Sequence, residues 1–168
     1  IYIGLPFKDV ANYLNKFHGV GRRFELKGIK DGVQIVDDYG HHPTEIKATL
    51  KAAKQKEASR VICIFQPHRY SRTLHLREDF SKSFSNADIT LMTGVYSAGE
   101  SPIDGVTGEK LAKMTSNFED KPVEFFPTLD GIADYLATIV EPGDLVITLG
   151  AGDVYQVGEE LLNLLEDS

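Results

Sequence analysis

Asp37 to His42 place two carboxylates, a phenol and two imidazoles in six consecutive positions of the stretch VQIVDDYGHHPTEIKATL. Such a cluster could hold a metal, run acid–base chemistry or grip a nucleotide. Adjacent histidines diverge from a regular element, and no other His or Cys stands at convincing ligand spacing, so no metal site is expected. A carboxylate at a strand end suits a ribose, because it can accept hydrogen bonds from two hydroxyls. A plainer use is equally open: Asp37, Asp38 and His42 could be turn and cap residues.

A second concentration is QPHRYSRT, where Arg69 and Arg72 stand three residues apart around Ser71, which reads as a helix cap. Guanidinium forks match carboxylates and phosphates two bonds at a time, although a solvated basic turn would look the same. His75 and Arg77 read as structural or surface residues. The GAGD of Gly150–Asp153 holds only two glycines of a dinucleotide fingerprint, since the third position is Tyr155. A tight strand-to-helix turn with Asp153 as its cap is the better reading. There is no G-x-x-x-x-G-K-[ST], and the GEK at Gly108–Lys110 lacks that context.

Positioning these residues requires a regular scaffold, and the periodicity supplies one. PFKDVANYLNKFH predicts a helix with Val10, Leu14 and Phe17 on one face. RFELKGIKDGVQIVDD predicts two strands about the hairpin turn Lys30-Asp31-Gly32. PTEIKATLKAAKQKEA is a helix with Pro43 at its first position and Ile46, Leu50 and Ala53 as its apolar stripe. RVICIF, ADITLM, PVEFF and DLVITLG read as buried strands. SRTLHLREDFSKSF, TGEKLAKMTSN, TLDGIADYLATIV and DVYQVGEELLNLLE read as the helices that follow RVICIF, ADITLM, PVEFF and DLVITLG in turn. The expected fold is a doubly wound, mostly parallel, Rossmann-like α/β sheet with one antiparallel edge strand and helices on both faces. All 168 residues are expected to form a single domain. Each polar cluster follows a strand and precedes a helix, at the edge where open α/β sheets bind ligands.

The net charge of −7 excludes a general nucleic-acid binder. No apolar run reaches the ~20 residues of a membrane span, and no signal peptide is evident, so no membrane insertion is expected. The single cysteine, Cys63, lies mid-strand and reads as a buried hydrophobe in a reducing compartment. The chain has no initiator Met, which suggests a piece of something longer.

Five stretches in order, GVGRRFE, DDYGHHPTEIKATL, FQPHRYSRT, TGVYSAGESPIDGV and GAGDVYQVGEELL, resemble the C-terminal domain of the Mur ligases. The resemblance runs from about Gly4 to Leu165, and its motifs fit the members that join L-alanine to UDP-N-acetylmuramate. It implies ATP-dependent, cytoplasmic peptidoglycan synthesis through an acyl phosphate. It also implies an N-terminal UDP-binding domain and a central P-loop domain with most of the Mg²⁺ ligands, both absent here. This chain alone is therefore expected to be inactive. Carried over by position, Arg23 approaches the ATP phosphates, Asp38 the ribose, and Tyr39 both the nucleotide and the amino acid. Arg69 and Arg72 would hold the L-alanine carboxylate with His68 beside them, and His41 is the one candidate catalytic residue. A peptide-recycling muramate ligase is the alternative within the family, departing at the arginine motif. Ligases adding later residues typically carry DYAHTP. A nucleotide-binding module without catalysis is the alternative outside it.

Overall fold

The computed structural model describes residues 4–15 and 21–166. It opens with α1 (Phe7–Asn15), followed by a hairpin of β1 (Glu25–Lys30) and β2 (Val33–Asp38). Asp31 and Gly32 both take positive φ, 48° and 77°, the left-handed pair that a two-residue hairpin turn demands. Of the apolar face expected on α1, Phe17 lies outside the described residues, as does the side chain of Leu14.

The chain then alternates: α2 (Pro43–Lys54), β3 (Val61–Phe65), α3 (Tyr70–His75), α4 (Arg77–Ser81) and β4 (Ile89–Thr93). It continues with α5 (Gly108–Ser116), β5 (Val123–Phe126), α6 (Ile132–Ile139), β6 (Leu145–Leu149) and α7 (Tyr155–Glu166). The six strands pair in the order β1-β2-β6-β3-β4-β5. Every pair is parallel except β1 with β2. The doubly wound sheet with one antiparallel edge strand is thus observed.

Strand alternation sorts the core into two layers. Val61, Cys63 and Phe65 of β3, with Leu145, Ile147 and Leu149 of β6, pack beneath α2, α4 and α5. Ile62, Ile64 and Val146 face the other way, against α6 and α7. Cys63 is fully buried, and that burial pushes its thiol up, out of the range of a nucleophile. Helix α2 leaves β2 on one face while α7 leaves the adjacent β6 on the other. Their loops part above the sheet, forming the switch-point crevice in which open α/β sheets bind ligands.

Three local expectations need correction. The helix expected over 71–84 is two helices, with Leu76 out of helical geometry at φ −111° and ψ 14°. Its halves answer to different anchors: the start of α3 is tied to the 94–100 loop, while Phe80 and Phe84 pack against Phe65. Ser71 is not the cap of α3. Arg69 holds that position, and the Ser71 amide and hydroxyl both bond Glu100. Helix α6 starts four residues after Thr128, because Gly131 is left-handed at φ 75°.

Candidate functional site

Asp37 and Asp38 end β2 and point to opposite faces of the sheet. Asp37 is 1% exposed and accepts from the Thr148 hydroxyl at 2.7 Å and from Arg22 Nε at 2.8 Å. Arg22 also donates to the carbonyls of Gly150 (2.8 Å) and Gly152 (3.1 Å). Its guanidinium lies 4.7 Å from the Tyr155 ring centroid and 5.2 Å from that of Tyr39. One arginine therefore clasps the chain ahead of β1 to the ends of β2 and β6. Gly19 and Val20, just upstream in the sequence, lie outside the described residues.

The neighbouring Arg23 is differently placed. Its side chain is 51% exposed, with a loose 3.7 Å pairing to Glu45 and its guanidinium 5.7 Å from the Tyr39 ring centroid. Asp38 is only 6% exposed, and each carboxylate oxygen already accepts one backbone amide at 2.8 Å, from Phe24 and from Gly40. A carboxylate oxygen can take a second bond, so Asp38 keeps acceptor capacity while shaping both loops. Tyr39 is half-buried, and its amide donates to the Arg22 carbonyl at 2.7 Å.

His42 caps α2. Its Nδ1 accepts from the Thr44 amide, while Glu45 Oε2 accepts the amides of His41 (2.9 Å) and His42 (3.1 Å). Burial works against the Glu45 charge, but these amides, with His41 and Arg23, hold its carboxyl below the usual range.

From Tyr39 a row of rings crosses the edge. Tyr39 meets His41 edge-on at 5.3 Å, His41 lies 5.7 Å from His68, and His68 stacks on Tyr96 at 5.5 Å and 11°. The hydrogen bonds fix the tautomers. His41 Nδ1 lies 2.9 Å from the Tyr39 carbonyl, which can only accept, so Nδ1 carries the proton and Nε2 is bare in the neutral ring. His68 Nδ1 lies 3.1 Å from Arg72 Nη1, and arginine can only donate, so His68 has the opposite tautomer. Burial, then the charges of Arg72, His41 and Arg69, push the His68 pKa down. With its folded pKa depressed, His68 contributes stability above its unfolded pKa of about 6.5, lost as pH falls through the folded value. Ring-nitrogen NMR should therefore show His68 titrating below about 6.5 with Nδ1 unprotonated; titration above that value would contradict the geometry.

Arg69 is left-handed at φ 71°, half exposed, and 4.0 Å from Glu100. At the end of β6, Asp153 is not the predicted cap. Its carboxylate accepts from Gln66 Nε2 at 2.7 Å and its amide donates to Gln66 Oε1 at 3.1 Å, because Gln66, at the end of β3, is near enough to bind it. Gly152 is confined by the same contact: a methyl there would strike Gln66 Oε1 and come within 2.8 Å of the Tyr96 ring. Gly152→Ala should cost about 1–3 kcal/mol in urea unfolding, and an unchanged midpoint would refute this packing. A recess of about 250 Å³ borders the network, lined in part by Gln66, Thr93, Tyr96, Ser97 and Asp153, so the edge offers space as well as charge. Among the described residues, no group of three His, Cys, Asp or Glu side chains is placed to hold a metal.

A family model described as the Mur ligase, glutamate ligase domain, matches residues 22–152. The chain belongs to this Mur ligase family. A UDP-N-acetylmuramate–L-alanine ligase of Pelotomaculum thermopropionicum is 45% identical over 99% of this chain, and one of Geotalea uraniireducens is 49% identical over 98%. This Mur ligase domain spans 36% of the length of each. The crystal structure of a UDP-N-acetylmuramate–alanine ligase from Thermotoga maritima has the same fold, with a TM-score of 0.82. It is 24% identical, with 99% of this chain and 35% of that one covered.

The Mur ligase domain thus brings Arg23, Asp38, Tyr39, His41, His68, Arg69 and Arg72 to one edge of its sheet. Sequence reasoning missed Arg22, Gln66, Tyr96 and Glu100. Each lies in a stretch that the sequence singles out, Arg22 in GVGRRFE, Gln66 in QPHRYSRT, and Tyr96 and Glu100 in TGVYSAGESPIDGV, but none was given a role. Among the described residues no helix is long and apolar enough to cross a membrane.

Proposed function

We propose that the full-length protein is an ATP-dependent, cytoplasmic ligase that joins L-alanine to UDP-N-acetylmuramate in peptidoglycan synthesis. This domain closes the nucleotide site and supplies the amino-acid site, while UDP-sugar binding, the P-loop and the Mg²⁺ ligands belong to an N-terminal and a central domain. The observation that carries this reading is the unbroken run of side chains along one strand-end edge. Arg23, Asp38 and Tyr39 stand at one end, and His41, His68 and Arg72 follow at ring-contact and hydrogen-bond distances.

Acyl-phosphate chemistry requires charge stabilisation and alignment more than covalent help. The substrate carboxylate attacks the γ-phosphorus, ADP leaves, and the alanine amine then displaces phosphate. Arg23, exposed because Arg22 makes the clasp, is free to reach the phosphates. Asp38 and Tyr39 flank the ribose. With His68 held neutral, recognition of the alanine carboxylate falls to the guanidinium groups of Arg69 and Arg72. The amine must lose a proton before it attacks, and His41 Nε2 is the bare nitrogen able to take it.

The full-length protein is expected to release ADP when given ATP, UDP-N-acetylmuramate and L-alanine, in preference to a panel of other amino acids. This chain alone should release none. Amino-acid-independent turnover, or ligation by the isolated domain, would refute the reading.

A further inference from the structure

We propose that Glu100 is a positioning residue of the amino-acid site: it braces the start of α3, the backbone that carries Arg69 and Arg72, from a separate loop. The inference rests on the ligase reading above and adds a residue to it.

Helix α3 has only six residues and begins at a strained point, with Arg69 left-handed. Such backbone persists only where its surroundings over-determine it. The surroundings here are the 94–100 loop. The Tyr96 amide donates to the Pro67 carbonyl at 2.8 Å, and the Arg69 amide returns a bond to the Tyr96 carbonyl at 2.8 Å. Glu100 completes the brace, accepting the Ser71 amide at 2.9 Å and the Ser71 hydroxyl at 2.6 Å. The amide is one of the free N–H groups of the first helical turn.

The same carboxylate lies 4.0 Å from Arg69 Nη1. The Ser71 hydroxyl and amide, then Arg69, hold the Glu100 carboxyl below its usual range, so it is charged at neutral pH. A carboxylate beside an anion-binding arginine weakens its raw attraction for a substrate carboxylate. It offsets this by fixing, through Ser71, the backbone from which Arg69 and Arg72 project, which lowers the entropy lost on capture.

The test uses the full-length enzyme. Glu100→Gln keeps the shape and removes the charge; Ser71→Ala removes the hydroxyl arm alone. Glu100→Gln should raise KM for L-alanine about tenfold, through the weakened charge-assisted bonds to Ser71 that fix the start of α3, and leave KM for ATP unchanged, with a modest fall in melting temperature as the brace loosens. Ser71→Ala should give a smaller rise in the same parameter. In an Arg69→Ala background, Glu100→Gln should add less than it does alone, the remainder acting through Arg72 on the same helix. An unchanged L-alanine KM in Glu100→Gln, where Arg69→Ala raises it, overturns this inference alone, as do equal rises for all three substrates. An unchanged L-alanine KM in Arg69→Ala overturns the amino-acid reading itself.

Discussion

Replacing Arg22 by alanine should cost this domain about 3–5 kcal/mol of folding stability, because it leaves a buried charge without its partner. Asp37 is nearly inaccessible, and its Oδ2 would lose the guanidinium while Oδ1 kept only Thr148. The carbonyls of Gly150 and Gly152 would lose their donor and the Tyr155 ring its cation, while Tyr39 would keep only Arg23. Arg23→Ala, one residue away, should fall within about 0.5 kcal/mol of the parent, since an exposed pairing at 3.7 Å contributes little. Urea unfolding of the two variants decides the matter. Equal losses, or a larger loss for Arg23, would show that the division of labour between them is wrong.

Removing Arg72 should have the largest effect on the amino acid. A guanidinium fork holding a carboxylate makes two charge-assisted bonds, so Arg72→Ala in the full-length enzyme should raise KM for L-alanine about 100-fold. Arg72 also donates to His68 Nδ1, and its charge is among the causes that keep that ring neutral. The His68 pKa should therefore rise in the same variant, readable by NMR as a second signal. Arg72→Lys keeps the charge but not the fork, so it should recover the pKa shift more fully than the affinity. If Arg72→Ala left both KM and the His68 titration unchanged, Arg72 would have no part in the site.

The architecture was legible because it depends on short-range pattern. Alternation fixed the two-faced strands, Asp31-Gly32 marked the hairpin, and Pro43 the start of α2. Placing every polar cluster between a strand and a helix was enough to bring the candidate residues to one edge. The sequence could not show which of two adjacent arginines is consumed by the fold, because the partners of Arg22 lie 15, 128 and 130 residues away. Ser71 and Asp153 looked like caps for the same reason. Each sits at a helix start, but Glu100 and Gln66 reach them from other loops, 29 and 87 residues distant. Asp38 gained a second duty. It ties the Phe24 and Gly40 amides together, so its role at the ribose is better probed by Asp38→Asn than by Asp38→Ala.

In the ligase reading, one strand-end edge carries two neighbouring ligand sites, for nucleotide and for amino acid. Steady-state KM values for ATP and L-alanine in full-length Arg23→Ala and Arg69→Ala separate the two sites. A crossed pattern is expected, in which Arg23→Ala raises KM for ATP and spares L-alanine, and Arg69→Ala does the reverse. If both variants shifted the same substrate, or both shifted the two substrates equally, the two-site edge would be contradicted.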